Sequence, residues 1–197
     1  FGSFRLSRAI TEYHCQFPDV SIELLLADRT PDLVAEGIDL AILFGELQDS
    51  SLFAKKIADA RMTVCGAPGY FEKYGIPNIP EDLLNHNCLI QTTRTGETWF
   101  FKNEDSYKRI DVQGKLRSNA GDALRIAAIK GSGLINLPVY MVDKDIRQGR
   151  LIPVLVEYEV PKRSIHAVYL HRMHLSAKVR TFVDFLYERF KSNPNWE

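Results

Sequence analysis

The chain has 197 residues, 45% apolar, 25% charged and 11% aromatic, a globular profile with room for one or two cores, which excludes disorder and collagen-like repeats. Lys plus Arg and Asp plus Glu both number 25, so the net charge is zero and the basic excess of a phosphate-neutralising surface is missing; this chain by itself is not expected to grip DNA. No apolar run approaches the roughly 18 residues of a membrane helix, and Cys15, Cys65 and Cys88 form no C-x-x-C pair, which argues against a disulfide framework or zinc site and fits a reducing cytoplasm.

Ser3 is a candidate cap for a helix in which Leu6, Ile10, Tyr13 and Phe17 recur at helical spacing, with Phe17-Pro18 as its stop. Val20 to Leu26 begins in alternation and becomes continuously apolar, the pattern of a strand buried on both faces. Thr30-Pro31-Asp32 opens a short helix ending at Gly37, and Ile38 to Phe44 reads as another buried strand. Helix, strand, helix, strand with short connections predicts parallel strands and an α/β fold.

Strands are then expected at 52–58 and 61–65, short helices at 68–74 and 80–84, and short strands through 88–117, with Asn103-Glu104-Asp105-Ser106 as a hairpin turn. Ala120 to Lys130 reads as an apolar helix stopped by Gly131, and Gly133 to Leu137 as a buried strand. Pro138 to Gln148 is a further helix closed by Gly149, 151–155 a strand, and 164–171 a longer strand able to cross from one core to another. Ser176 caps a last helix with Val179, Phe182, Val183, Leu186 and Phe190 in one stripe.

Catalytic templates come up short. There is no H-E-x-x-H, G-x-S-x-G or P-loop, and Gly131-Ser132-Gly133 follows a helix, the reverse of a phosphate loop. His14, His86, His166, His171 and His174 read as solvated or half-buried structural residues. Asp39 sits where an acid usually serves a backbone amide, and Cys88 reads as a small buried hydrophobe. What stands out is polar groups at strand mouths and helix starts: Gly45-Glu46, Thr92-Thr93 and Ser118-Asn119-Ala120-Gly121-Asp122. Ligands of open α/β sheets bind beyond strand carboxyl ends, although each of these residues also suits a local turn.

The order of motifs resembles the C-terminal effector-binding domain of LysR-type transcriptional regulators over nearly the whole chain. The resemblance rests on Phe1-Gly2, Phe17-Pro18-Asp19-Val20, Asp28-Arg29, Asp32-Leu33-Val34, and Glu36 to Ile42 with Gly45. It continues through Ala67-Pro68-Gly69-Tyr70, Pro80 to Leu83, His86 to Leu89, Gly133-Leu134-Ile135, Leu137-Pro138, Gly149-Arg150-Leu151 and His174 to Arg180. It implies a two-lobed, type II periplasmic-binding-protein-like α/β fold with two inter-lobe crossovers, near 64–66 and 167–170. Lobe one is then 1–65 plus 170–197 and lobe two 66–169. It further implies that a winged helix-turn-helix DNA-binding domain and a strand before Phe1 lie outside this chain, which starts at Phe1 as a fragment would.

Carried over by position, the resemblance nominates Phe1, Phe44, Gly45, Gln91, Thr92, Thr93, Asn119 and Pro138 for a small-molecule effector in the inter-lobe cleft. Leu43, where an arginine is common, and Val139, where an acid is common, depart from the family pattern and leave the effector's charge open. The family also implies a cytoplasmic homodimer or homotetramer, built with residues 3–17 and 20–26 of one copy beside 120–131 of another. The expectation is a sensing domain, with no enzyme activity, cofactor, metal or membrane, that meets DNA only through the domain outside the chain. The rival readings are a solute-binding receptor of a transport system, and an enzyme on the same architecture with Glu46 as its nearest acid.

Overall fold

The computed structural model describes residues 1–27, 29–45, 52–92, 97–104, 106–170 and 176–191, with only the backbone of Ser3 and Phe4. A π-helical turn, Gly2–Leu6, leads into α1 (Ser7–Gln16), followed by β1 (Ala41–Phe44), β2 (Phe53–Ala60), β3 (Met62–Gly66), α2 (Pro68–Tyr74) and a 3-10 turn at Pro80–Asn85. Then come β4 (Ile90–Gln91), β5 (Thr98–Asn103), β6 (Ser106–Asp111), β7 (Arg117–Ser118), α3 (Gly121–Ile129), β8 (Ile135–Pro138) and α4 (Val139–Arg147). Last are β9 (Ile152–Val154), a 3-10 turn at Val156–Tyr158, β10 (Arg163–Tyr169) and α5 (Ala177–Lys191).

Two compact units result, Phe1–Ala60 with Arg163–Trp196, and Arg61–Lys162. The chain passes between them at 60/61 and 162/163, ahead of the expected 64–66 and 167–170. Pairing explains the difference: β3 is held by β8 and β9 in the second unit, whereas β10 lies between β1 and β2 in the first.

In the first unit the order is β1-β10-β2, antiparallel throughout. The parallel pairing anticipated for its opening is not found, because the run meant to supply the neighbouring strand is not a strand. Residues 20–27 carry no regular structure, and Leu24, Leu25 and Leu26 are 36%, 63% and 60% exposed. No ladder among the described residues reaches this run; Val20 and Ile22 are half-buried, while Leu24, Leu25 and Leu26 stay exposed. The expected helix before Gly37 is one turn. Its cap is Asp32, whose Oδ1 accepts from the Val34 and Ala35 N–H groups (3.0 Å each), too close to Gly37 to leave room for a helix.

Phe1 rather than Ser3 occupies the cap position of the first helical turn. Tyr13 is fully buried, and its hydroxyl lies 2.8 Å from Thr181 Oγ1 while its ring meets Phe182 and Phe185 edge-on. Arg189 closes the same contact with a two-pronged pair to Glu12 (2.6 and 2.7 Å), which lowers the Glu12 pKa. The α5 stripe buries Val179, Val183, Leu186 and Phe190 as its spacing predicts.

In the second unit β3 pairs antiparallel with β8 and β9, while β4 and β7 run parallel. A parallel bridge between Cys88 and Leu134 stitches β4 to β8. Alternation then serves two cores. Val64, Cys88 and Leu134 face a layer with Tyr70, Phe71, Leu83, Trp99 and Phe101. Their neighbours Cys65, Leu89 and Ile135 face α3 and α4 through Leu124, Ala128 and Val142. Both faces are covered, so the short strands read as continuously apolar.

α3 stops where Gly131, at φ +77°, takes the left-handed conformation: the Gly131 and Ser132 N–H groups bond to the Ala128 and Ala127 carbonyls (2.9 and 3.0 Å). α4 ends in the same pattern at Gly149. The expected hairpin joins β5 to β6, with Asn103 opposite Ser106 and Glu104 at φ 47°; Asp105 lies outside the described residues.

Asp145 on α4 is fully buried and set between Arg125 of α3 (2.7 Å) and Arg150 after α4 (2.5 Å). Burial alone would lower the Arg125 pKa; hydrogen bonds to Asp145 and Asp122 outweigh it, and the pKa is raised. Removing the carboxylate leaves two cations facing each other at the edge of the core. Asp145→Ala is therefore expected to cost about 3 kcal/mol in urea unfolding, and Arg150→Gln, at a half-exposed partner, much less.

Candidate functional site

Strand direction gathers one set of polar residues. β4 hydrogen-bonds to the 113–118 segment through Cys88 N–H to Gln113 O (2.9 Å), Ile90 N–H to Leu116 O (3.0 Å) and Thr92 N–H to Ser118 O (2.9 Å). On its other side, Leu89 N–H donates to Leu134 O (2.7 Å) and Leu134 N–H to Asn87 O (2.9 Å). β7, β4 and β8 thus run in one direction, and Ser118-Asn119, Gln91-Thr92 and Pro138 all lie at their carboxyl ends. Ser118 Oγ accepts from the Ala120 N–H (3.1 Å) where α3 begins, and Pro138 caps α4.

The arrangement is polar and carries little charge of its own. Asp122 in the first turn of α3 is paired with Arg125 (3.2 Å), and Arg117 with Glu97. Gln91 is half-buried and Thr92 exposed, and neither side chain has a hydrogen-bond partner among the described residues. Asn119 is exposed and already takes part in an interaction. Unclaimed amide and hydroxyl groups beside the positive end of a helix suit a small polar or anionic molecule. Thr93 lies outside the described residues.

The first-unit candidates stand at the end of β1. Phe44 is 38% exposed, and Gly45, at φ +93°, donates its N–H to Ser164 O (2.8 Å). Ser164 Oγ is 3.0 Å from Asp59 Oδ1, and Asp59 pairs with Lys56 (2.8 Å). Sequence reasoning missed this trio because Ser164 meets Asp59 only through the β10–β2 register, although Lys56 and Asp59 are three residues apart on β2. Phe1 packs on Phe190, ring centroids 5.3 Å apart.

The remaining candidates fall to structural roles or outside the description. Asp39 is two-thirds exposed and pairs with Lys178 (3.4 Å) in place of the expected backbone amide. Burial pushes the Cys65 and Cys88 thiols up to about 12, which leaves them unreactive, while Cys15 is exposed. Tyr70 OH accepts from the Asn87 N–H (3.0 Å) and lies within hydrogen-bond reach of His86 Nδ1 (3.2 Å). Burial lowers the His86 pKa, with Asp82 pulling weakly the other way. Glu46, His171 and His174 are outside the described residues; among those described, no three His, Cys, Asp or Glu side chains converge as metal ligands.

Comparison with known proteins bears on the family and the fold. Residues 1–191 match the LysR substrate binding domain family. An uncharacterized HTH-type transcriptional regulator of Haemophilus influenzae is 35% identical over 180 residues, covering 91% of this chain and 62% of that protein. The HTH-type transcriptional regulator CrgA of Neisseria meningitidis is 30% identical over 196 residues, 95% of this chain and 63% of that protein. This chain thus spans somewhat under two thirds of such relatives. Among solved structures, the CrgA regulatory domain superposes with a TM-score of 0.83 at 29% identity, covering 94% of this chain and 92% of that one. Full-length AphB of Vibrio cholerae gives 0.83 at 25% identity, covering 95% and 64%. The fold is the type II periplasmic-binding-protein-like one.

Two outcomes follow from the buried groups. A thiol reagent added to the native chain should modify Cys15 alone, Cys65 and Cys88 reacting only after denaturation. The unfolded chain carries His86 near its ordinary pKa of about 6.5, so between that value and the lowered folded one it binds more protons than the native state. Stability from this group is present above about pH 6.5 and is lost as pH falls through the folded value. Urea midpoints across that window should fall with pH, and less so in His86→Gln.

Proposed function

The chain belongs to the LysR substrate-binding-domain family, and from that premise we propose that it is the effector-sensing, self-associating part of a DNA-binding transcriptional regulator. The observation that carries the reading is the convergence of Gln91, Thr92, Ser118 and Asn119 at parallel strand ends, with Gln91 and Thr92 uncommitted. Such a site binds a small metabolite by hydrogen bonds and transforms nothing. The effector acts by preferring one of two states of the domain, and a coupling of about 1–3 kcal/mol suffices for a response. DNA contact belongs to the helix-turn-helix part that the longer relatives' names specify.

The relatives' names favour a regulator over a transport receptor or an enzyme. Among the described residues no helix is long and apolar enough to cross a membrane, in keeping with the cytoplasmic setting of the proposal. Self-association draws support from two uncovered surfaces: Leu25 and Leu26, and Ile126 of α3, which is 54% exposed. These fall in the segments that the family resemblance pairs between copies.

Two measurements test the reading. In a thermal-shift screen of small acids and amino acids, a hit should raise Tm by mass action. Gln91→Ala or Thr92→Val should then weaken its affinity about tenfold, the loss of one hydrogen bond, with the ligand-free Tm unchanged; the same assay on Phe44→Ala and Pro138→Ala reports whether those candidates take part. Sedimentation should show an oligomer that Leu25→Asp or Ile126→Asp shifts toward monomer. Unaltered affinity in both polar variants would sink the site assignment.

A further inference from the structure

The second unit has a recess at the opposite end of α3 from Gln91 and Thr92. It is an open depression of about 610 Å³ between the start of α2, the end of α3 and the residues after α4. The two ends of α3 are separated by about 12 Å, from the eight steps of 1.5 Å between the first and last of its nine residues. Strand direction agrees: β8 starts beside this recess, at Ile135 opposite Cys65, and ends at Pro138 with the polar cluster.

The lining is mixed in a way that selects a ligand. Its charged members, Lys130 and Arg150, are both cationic, and no acidic side chain is among them. Lys130 is exposed and has no ion pair among the described residues. Arg150 spends one arm on the buried Asp145, and its side chain is 46% exposed. Pro68 and Ile129, both half-buried, supply apolar wall, with the buried Tyr70 behind them. At the end of α3 the Ile126, Ala127 and Ala128 carbonyls accept from the Lys130, Ser132 and Gly131 N–H groups. Gly69 leaves the floor open, since a Cβ there would meet nothing within 4 Å.

We propose that this recess is a second ligand site of the domain, separate from the Gln91–Asn119 cluster, and that it takes a small amphiphilic carboxylate. The carboxylate sits between Lys130 and Arg150, and its hydrocarbon lies on Pro68 and Ile129. Neither half of the lining suffices: exposed cations alone hold simple anions weakly, and an open apolar wall alone does not choose a carboxylate over an alcohol. Because Arg150 also holds Asp145, which holds Arg125 on α3, occupancy is read by the helix whose other end carries the polar cluster.

The test is an amide NMR titration of the 197-residue chain with hexanoate at fixed ionic strength, hexanol and inorganic phosphate serving as probes of each half alone. Hexanoate should give saturable shifts at Gly69, Tyr70, Lys130 and Gly131, with a dissociation constant on the order of 1 mM, and hexanol and phosphate should each bind about fivefold more weakly. Lys130→Gln, at an exposed position outside both cores, should weaken hexanoate about fivefold, and Gly69→Leu, which fills open space, should abolish the shifts. Failure to saturate, hexanol binding as well as hexanoate, shifts centred on Gln91 and Thr92, or shifts that survive Gly69→Leu would each overturn the proposal. Of these outcomes only shifts centred on Gln91 and Thr92 bear on the effector reading, which they would support; the others leave it untouched, since its variants lie at the other end of α3.

Discussion

Asn87 ties together three stretches of chain that the candidate site requires to be adjacent. Its N–H reaches Tyr70 OH, its Oδ1 accepts from Lys115 N–H (2.9 Å), and its Nδ2 donates to Ser132 O (2.5 Å). Its own carbonyl takes the Leu134 N–H, and Gly133 lies so close to that carbonyl that any Cβ there would collide with it. With residue 87 fixed, β4 is carried forward between the 113–118 segment and β8, and the register delivers Gln91 beside Ser118. Asn87 is half-buried, and an amide that pairs both of its polar ends holds its place through hydrogen bonds worth about 1 kcal/mol each. The site therefore inherits its geometry from a residue that takes no part in it.

Much of the fold is legible in the chain because local signals agree with tertiary need. α2, α3, α4 and α5 fall within a residue or two of their expected bounds, since apolar spacing, proline starts and glycine stops all point the same way. The Gly131-Ser132-Gly133 cluster turns out to hold two different devices, a left-handed helix stop and a close approach. Strand partners are less legible. The run 20–26 has the composition of a covered strand, yet composition cannot name what covers it, and the described residues supply nothing. Unit boundaries shifted for the same reason: β3 and β10 take their membership from pairings across some 70 to 120 residues of sequence.

The candidate residues divide along a similar line. Gln91, Thr92, Ser118 and Asn119 announce themselves as polar groups after apolar runs, and parallel pairing is what makes them neighbours. Asp145 gave no such signal. It lies among the charges of an amphipathic helix, and only packing reveals that its carboxylate is fully buried between two guanidinium groups. The Lys130 and Arg150 recess was equally silent, being assembled from three separate helix ends.

Leu155 shows how far packing can overrule local preference. It follows β9 with φ +57°, a left-handed backbone that asparagine or glycine adopts far more readily, while its side chain is 7% exposed in the core that contains Trp99 and Leu134. The backbone penalty for a bulky side chain there is about 1–2 kcal/mol, against about 1.5–3 kcal/mol for burying a leucine. Burial wins by a narrow margin. The position is thus one where no natural amino acid satisfies both demands, so improvement at Leu155 has to come from reshaping the turn around it.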